Sequence, residues 1–358
     1  MGNDGRSRPR ILVLSARDPV PPSQGDEVRL AGLLEAAGEI GTVTLAVRGG
    51  GRDPSDGRDL RFFPVSGWDT ALGIAQQAVR GRPAALGPYV RRMPAVEGPW
   101  DVVIASQLKM WRWAAAVDGR IRVLDLVDAL GRYVASPRLP LSRRLPLLGV
   151  RVEERTAVRH FDRVWVSSEA DREFVARYGR CAPEVVQNGP LHPRPLPPAP
   201  VGRHLLFVGN LRYPPNRQGI RWFLGSVWPD LAAEGFTLDL AGAGTEDLPN
   251  LKGARALGFV PDIESLYRRA NCAVSPVRWG TGSQLKVWEA LGYGRRVVVT
   301  PEGAAAIGPQ DGVLVAEGRD GWIEVLRREA VRSDAAVASP RPVAKLFRDA
   351  LAALVSRL

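Results

Sequence analysis

Runs of β-branched and aliphatic residues alternate with helical patterns along this chain, and the alternation occurs twice over. In the first half, Ile11 to Ser15, Thr42 to Val47, Val102 to Ala105, Val123 to Leu126 and Arg163 to Ser167 read as buried strands. Helical spacing falls at Val28 to Ala37, at Val150 to His160, and after the last strand behind a cap around Ser168. Strand–helix alternation of this kind implies a parallel, doubly wound α/β sheet. The second half restarts the pattern, with strands expected at Leu205 to Val208, Thr237 to Ala241, around Gly258 and Phe259, Cys272 to Ser275, Val297 to Thr300 and Gly312 to Val315. A helix is expected from Gly219 to Leu231, and Val343 to Leu358 carries apolar residues at helical spacing. Residues 189–203 are Pro-rich and polar, a stiff linker by composition. The expected division is therefore a first domain at 9–188, a linker at 189–203, a second domain at 204–342 and a terminal helix at 343–358. Ligands of such sheets bind outside the carboxyl ends of the strands, so the loops of both halves are expected to face one cleft.

A length of 358 residues suits two domains, and 45% hydrophobic with 24% charged residues is a globular balance. No stretch approaches the roughly 18 consecutive apolar residues of a membrane span. The opening MGNDGRSRPR lacks the apolar core of a secretory signal. Cys181 and Cys272 lie in different halves and read as free thiols of a reducing compartment, so the expected location is cytoplasmic. The 49 basic against 38 acidic residues, a net charge of +11, favour anionic partners such as phosphates. His160, His192 and His204 have no metal-ligand spacing, and no metal is expected. Nothing looks like base stacking or a sequence-reading helix, which argues against nucleic acid.

The segment from Gly280 to Ile307, GTGSQLKVWEALGYGRRVVVTPEGAAAI, holds the most chemistry. A Gly- and Ser-rich turn at a helix start offers backbone N–H groups to a phosphate. Lys286 adds a cation, and Glu289 follows one helical turn later, so both can face one ligand. A carboxylate repels phosphate, and its natural task there is to accept hydrogen bonds from sugar hydroxyls. A cation for a pyrophosphate beside a carboxylate for a ribose describes a nucleotide-sugar pocket; an ordinary amphipathic helix with a surface Lys and Glu is the plain alternative.

Other motifs fall at strand ends. In PPSQGDEVR, Gly25 allows close backbone approach and Asp26 caps or flanks a helix start suited to anionic oxygen. In VLDLVDALGRY, Asp125 and Asp128 bracket the end of a strand, and Asp128 is placed either to bind an acceptor hydroxyl or assist its deprotonation, or to cap the next turn. In FVGNLRYPPNRQGIRWF, Gly209 ends a strand, with Asn210, Arg212 and Arg217 available to phosphate, while Trp222 and Phe223 read as core. LAGAGTED has Gly242 and Gly244 but Asp247 where a third fingerprint glycine belongs, so it reads as a tight turn beside a nucleotide base. RLPLSRRLPLLGVRVEER reads either as a solvated Arg-rich loop and helix or as a peripheral contact with acidic membrane.

Together these segments resemble the GT-B glycosyltransferases of the large retaining family 4 type (glycosyltransferase group 1), with closest likeness to bacterial exopolysaccharide-associated sugar transferases. The likeness is carried by PPSQGDEVR, LDLVDALGRYVAS, FDRVWVSSEADREFV and VVQNGP, then by FVGNLRYPPNRQGIRWFLGSVWPDL and LGFVPDIESLYRRANCAVSPVRWGTGSQLKVWEALGYGRRVVVT, in the family's order. It implies two Rossmann-like domains facing a cleft, a C-terminal helix crossing back to the first domain, and a metal-independent reaction with no cofactor beyond the nucleoside diphosphate sugar. By that resemblance Glu289 holds the donor ribose, Gly282, Ser283 and Lys286 surround the diphosphate with Gln284 in the same donor-binding set, and Gly25 lies near the donor phosphate. Many members carry a further Glu eight residues before the second; here the position is Thr281. The histidine many members use near the donor sugar has no evident counterpart.

The expected function is a retaining, hexosyltransferase-like transfer from a nucleoside diphosphate sugar to a hydroxyl of a glycan or lipid-linked acceptor, with Asp128, Lys286 and Glu289 as catalytic candidates. A small natural-product acceptor, a non-catalytic nucleotide-sugar-binding protein and a nucleotide-sugar epimerase are the alternatives.

Overall fold

The computed structural model describes residues 8–20, 22, 25–48, 59–63, 96, 98–179, 182–280, 284–332 and 337–358. The chain divides into two units. The first comprises Met1–Leu191, Thr281–Ser283 and Val343–Leu358, and the second His192–Gly280 and Gln284–Pro342.

In the first unit, strands β1 (Arg10–Ser15), β2 (Thr42–Arg48), β3 (Asp59–Phe63), β4 (Trp100–Ser106), β5 (Gly119–Leu126), β6 (Arg163–Val166) and β7 (Glu184–Val185) form one parallel sheet. Its order is β3-β2-β1-β4-β5-β6-β7. Successive side chains of a strand point to opposite faces, and both faces here are covered. Leu12 and Leu14 enter one core while Ile11 and Val13 enter the other. That double burial is why the strands read as continuous apolar runs.

The second unit repeats the plan with β8 (His204–Val208), β9 (Thr237–Ala241), β10 (Ala254–Gly258), β11 (Cys272–Ser275), β12 (Val297–Val299) and β13 (Val313–Val315), ordered β10-β9-β8-β11-β12-β13. Leu205 and Phe207 pack on one face, Leu206 and Val208 on the other. Both sheets reverse direction beside their first strand, at β1/β4 and β8/β11, and such reversals open the crevices in which doubly wound sheets bind ligands.

The terminal helix Val343–Val355 belongs to the first unit and buries Val343, Phe347, Leu351 and Leu354 in the core that Ile11 and Val13 enter. Gly32 permits its approach: a Cβ there would sit 2.4 Å from Val343 Cγ1. Arg29, on the helix Gly25–Ile40, is 1% exposed and ties this unit together. Its Nη2 donates to Asp125 Oδ1 at 2.6 Å, and Nε lies 3.0 Å from Asp125 Oδ2. Nη1 donates to Val186 O at 2.7 Å and Asn188 Oδ1 at 2.8 Å, and the guanidinium lies 4.7 Å from the Phe347 ring.

Four elements differ from the sequence reading. The helix expected from Gly219 to Leu231 is two, Pro214–Ser226 and Trp228–Ala233, because Pro229 sits in the first turn of the second and lacks the N–H to continue the first. Strands β3 and β7 were not expected: β3 mixes Asp59 and Arg61 with apolar residues, and β7 is two residues long. Part of the Pro-rich stretch packs on the second unit: Leu196 is core, and buried Arg295 donates to Pro197 O at 2.8 Å.

Removing one partner of a buried ion pair strands the other charge, at a cost of about 3–5 kcal/mol. Arg29→Ala is therefore expected to lower unfolding free energy by about that amount, and Arg29→Met with Asp125→Leu to recover most of it. Urea denaturation of both variants checks this; a harmless single substitution contradicts it.

Candidate functional site

In the second unit, the helix Leu285–Gly292 starts at Gln284, whose backbone is left-handed (φ 45°, ψ 47°) and whose side chain does not cap the helix. The Gln284 amide oxygen instead accepts from Ser275 Oγ at 3.3 Å, at the end of β11, and from Lys286 Nζ at 3.4 Å. This places the ammonium beside the carboxyl end of the strand that flanks the β8/β11 reversal. Burial alone brings the Lys286 pKa down to about 8. Glu289, one turn on, has its carboxyl pushed up to about 7 by burial, against a 3.4 Å hydrogen bond from Tyr267 Oη. Tyr267 is itself buried and stacks on Tyr293 with centroids 4.8 Å apart. Both charges are thus partly desolvated and under-compensated among the described residues, a condition that an incoming anion and an incoming set of hydroxyl donors would each relieve.

The neighbouring loops close around backbone rather than side chains. After β8, Gly209 N donates to Ala241 O at 2.9 Å and Leu211 N to Ala243 O at 2.8 Å, so the turns after β8 and β9 lie against each other. Gly242 (φ 120°) makes this contact feasible, since a Cβ there would lie 2.3 Å from Gly209 O. Asn210 Oδ1 accepts from Arg212 N at 2.8 Å, and Asn210 O accepts from Asn216 Nδ2 at 2.9 Å, which fixes the loop leading into Pro214–Ser226. Arg212 and Arg217 are exposed beside it. Gly282 and Ser283, with Thr281, lie outside the described residues.

In the first unit, polar groups gather at the carboxyl ends of β1, β4 and β5. Gly25 opens the helix Gly25–Ile40, and Asp26 in its first turn accepts from Gln107 Nε2 at 2.6 Å. Gln107 follows β4 with φ 75° and ψ 152°, a conformation normally left to glycine and strained by about 1–3 kcal/mol for other residues. Its N–H donates to Asp125 O at 2.9 Å, which helps hold it there. Asp128, just beyond β5, keeps a buried Oδ1 with no hydrogen bond among the described residues. Burial, then the charges of Asp171 and Asp26, raise its pKa to about 7, against Arg29 and Arg132. Asp125, the other carboxylate of that motif, is fully buried and paired to Arg29, so its role is structural.

The structure therefore groups Gln284, Lys286 and Glu289 in one place, sets Gly209 and Asn210 at the adjoining strand end, and puts Gly25 and Asp128 in the first unit's polar cluster. The sequence reading did not single out Gln107 or Tyr267. A Gln and a Tyr carry no motif, and their importance comes from a backbone angle and a tertiary hydrogen bond. Among the described residues no group of three His, Cys, Asp or Glu side chains is arranged to hold a metal, and no helix is long and apolar enough to cross a membrane.

Residues 202–328 match the family model described as glycosyl transferases group 1. The fold is GT-B, and the second unit is similar over that stretch to the group 1 glycosyl transferases. Among solved structures, Anabaena HepE in complex with UDP and glucose is similar over 98% of this chain and 100% of its own, at 16% identity and TM-score 0.63. WaaG, a glycosyltransferase involved in lipopolysaccharide biosynthesis, is similar over 95% of this chain and 94% of its own, at 14% identity and TM-score 0.59. An E. coli structure bound with UDP-2-fluoro glucose is similar over 96% and 95%, at 13% identity and TM-score 0.58. Comparison with curated protein sequences gives no match. These identities speak for the fold of this chain; its site rests on its own geometry.

The raised Glu289 pKa makes stability pH-dependent. Below an unfolded carboxyl pKa near 4.5 both states hold the proton, and the folded state keeps it until about pH 7. Its contribution is complete below the lower value and lost as pH rises through the upper. Glu289→Gln, which carries no titrating proton, is expected to match wild type near pH 4.5 and to melt higher than wild type above pH 7. Melting curves across that range check it; parallel curves at every pH contradict it.

Proposed function

We propose that this glycosyltransferase moves a sugar from a nucleoside diphosphate sugar to an acceptor hydroxyl of a glycan or lipid-linked substrate, with retention at the anomeric carbon, in the cytoplasm. The observation that carries the reading is the pair Lys286 and Glu289, one turn apart on a helix at the β8/β11 crevice, each half-buried and each short of compensating partners among the described residues. Glu289 would accept from the two ribose hydroxyls, and Lys286 with the helix-start N–H groups, Gly282, Ser283 and Gln284 would hold the diphosphate. UDP complexes among the fold's neighbours make UDP-hexoses the first donors to test.

In the proposed reaction the bond between the anomeric carbon and the diphosphate oxygen breaks, and the acceptor oxygen bonds to the same face of that carbon. The departing phosphate takes the acceptor's proton. Negative charge therefore grows on the diphosphate, and Lys286, with Arg212 and Arg217 available nearby, stabilises it without a metal ion. Asp128, with its unbonded Oδ1, would orient the acceptor hydroxyl. Gly25, at the start of a 16-residue helix, would offer a positive helix end to the donor phosphate, and Gly209 and Asn210 would shape the edge of the donor pocket.

Glu289→Ala is expected to weaken nucleotide-sugar binding by about 1.5–3 kcal/mol, roughly 10- to 150-fold in Kd by calorimetry. Lys286→Ala should lower kcat by about 10²- to 10³-fold with a smaller effect on donor affinity, because the charge it meets grows in the transition state. Unchanged kinetics in both variants would remove the site assignment.

Donor affinity should also depend on pH. Ribose hydroxyls favour ionised Glu289, so affinity rises as pH passes about 7; the diphosphate favours charged Lys286, so it falls above about 8. Calorimetry should place the optimum between these values, and a flat profile from pH 6 to 9 contradicts the assignment.

A further inference from the structure

At the amino ends of β8, β9 and β10, away from the crevice, the second unit holds a cavity of about 620 Å³. His204 and Thr237, the first residues of β8 and β9, line it together with the loop 250–253 and the start of β10. Small-molecule sites commonly measure about 300–1,000 Å³ and combine apolar walls with a few placed polar groups. Here Leu251 and Ala254 supply the apolar wall, and Asn250, Lys252 and Arg255 the polar groups.

Beside the cavity, Asp239 is a fully buried carboxylate on β9, between Leu238 and Leu240. Its Oδ1 accepts from Arg255 Nε at 2.8 Å. Its Oδ2 accepts from Arg255 Nη2 at 2.9 Å, His204 Nε2 at 3.1 Å and Arg269 Nη2 at 3.2 Å. Burial opposes its charge, but the hydrogen bonds and charges of His204 and Arg255 hold its pKa below the ordinary carboxylate value. One carboxylate thus meets two guanidiniums, whose side chains stay 58% and 53% exposed. Lys252 adds a third cation; it is exposed, and its ammonium makes no ion pair among the described residues. No carboxylate lines the cavity among the described residues, so three cations stand against one buried anion even with His204 neutral. A buried ion pair adds little stability over apolar residues of the same volume. What this one supplies is an arginine head fixed at the cavity wall, with its Nη1 N–H groups left without a partner among the described residues.

We infer that this cavity is an anion site separate from the crevice, which takes a small phosphate-bearing molecule between Lys252 and the free edge of Arg255. A phosphate matches the planar donor edge of a guanidinium and the point charge of an ammonium. Charge selects it as well. A phosphate monoester, at about −1.5 to −2 near neutral pH, answers an excess of two positive charges, whereas a single carboxylate leaves half of it. Asn250, whose side chain is exposed beside Lys252, offers an amide to a ligand hydroxyl. The site lies at the opposite strand ends from Lys286 and Glu289 and does not rest on the transfer reading.

The test is calorimetric titration of the full chain with inorganic phosphate, ribose 5-phosphate and long-chain polyphosphate in low-salt buffer. It is run on wild type and on Lys286→Ala, in which phosphate held at the crevice is weakened. One saturable site for phosphate or its ester is expected in both proteins. Lys252→Glu and, separately, Asn250→Asp should each weaken that site about tenfold or more with melting temperature unchanged, since both side chains are exposed. A preference for ribose 5-phosphate assigns the cavity to a phosphate ester, and equal affinity assigns it to free phosphate; both uphold the site. No saturable binding of either below about 10 mM, binding abolished by Lys286→Ala, or full binding in both cavity variants would each overturn it. Binding of polyphosphate alone would reduce the patch to general electrostatic attraction and overturn it equally. Phosphate binding here by a chain that responds to no nucleoside diphosphate sugar would leave this site standing and remove the transferase reading.

Discussion

The guanidinium of Arg29 is the fixed point of the first unit. One buried cation bridges the helix after β1, Asp125 on β5, the carbonyl of Val186 and the ring of Phe347 on the terminal helix. These segments are far apart in sequence, and none is long enough to hold its position by local structure alone. An unpaired charge in that interior would be strongly destabilising, so the arrangement is specified as a whole. The consequence for function is positional. The same helix brings Gly25 and Asp26 to the polar cluster, and the same strand leads to Asp128.

The second unit uses the same sheet order without such a pair at its crevice. There the charged groups, Lys286 and Glu289, are half-buried, with Gln284 and Tyr267 as their hydrogen-bond partners among the described residues. The contrast separates two kinds of charged group among the described residues. Arg29 and Asp125 satisfy each other and serve the fold, whereas Lys286, Glu289 and Asp128 are left under-satisfied at strand ends, where a ligand completes them. Their shifted proton affinities express that incompleteness.

Much of this was legible in the sequence because the central strands are buried on both faces and so stand out as apolar runs. Thr237–Ala241 and Cys272–Ser275 were readable to the residue. The spacing of Lys286 and Glu289 also showed, since helix periodicity is a sequence property. Other parts did not show, each for a physical reason. Edge strand β3 carries charged residues, and β7 is too short to have a pattern. Pro229 split a helix whose periodicity continues across the break. Gln107 matters through a backbone angle that no residue type announces, and Asp125 could be told from Asp128 only once Arg29 was placed beside it.

The central claim is that the helix Leu285–Gly292 opens a nucleoside diphosphate sugar site. The most direct measurement is a thermal-shift series with UDP, GDP, ADP and dTDP and their common sugar conjugates. A ligand present at about 100 times its Kd stabilises by roughly 2.7 kcal/mol. The account predicts a selective shift with one base. Equal indifference to every nucleotide and conjugate would contradict it.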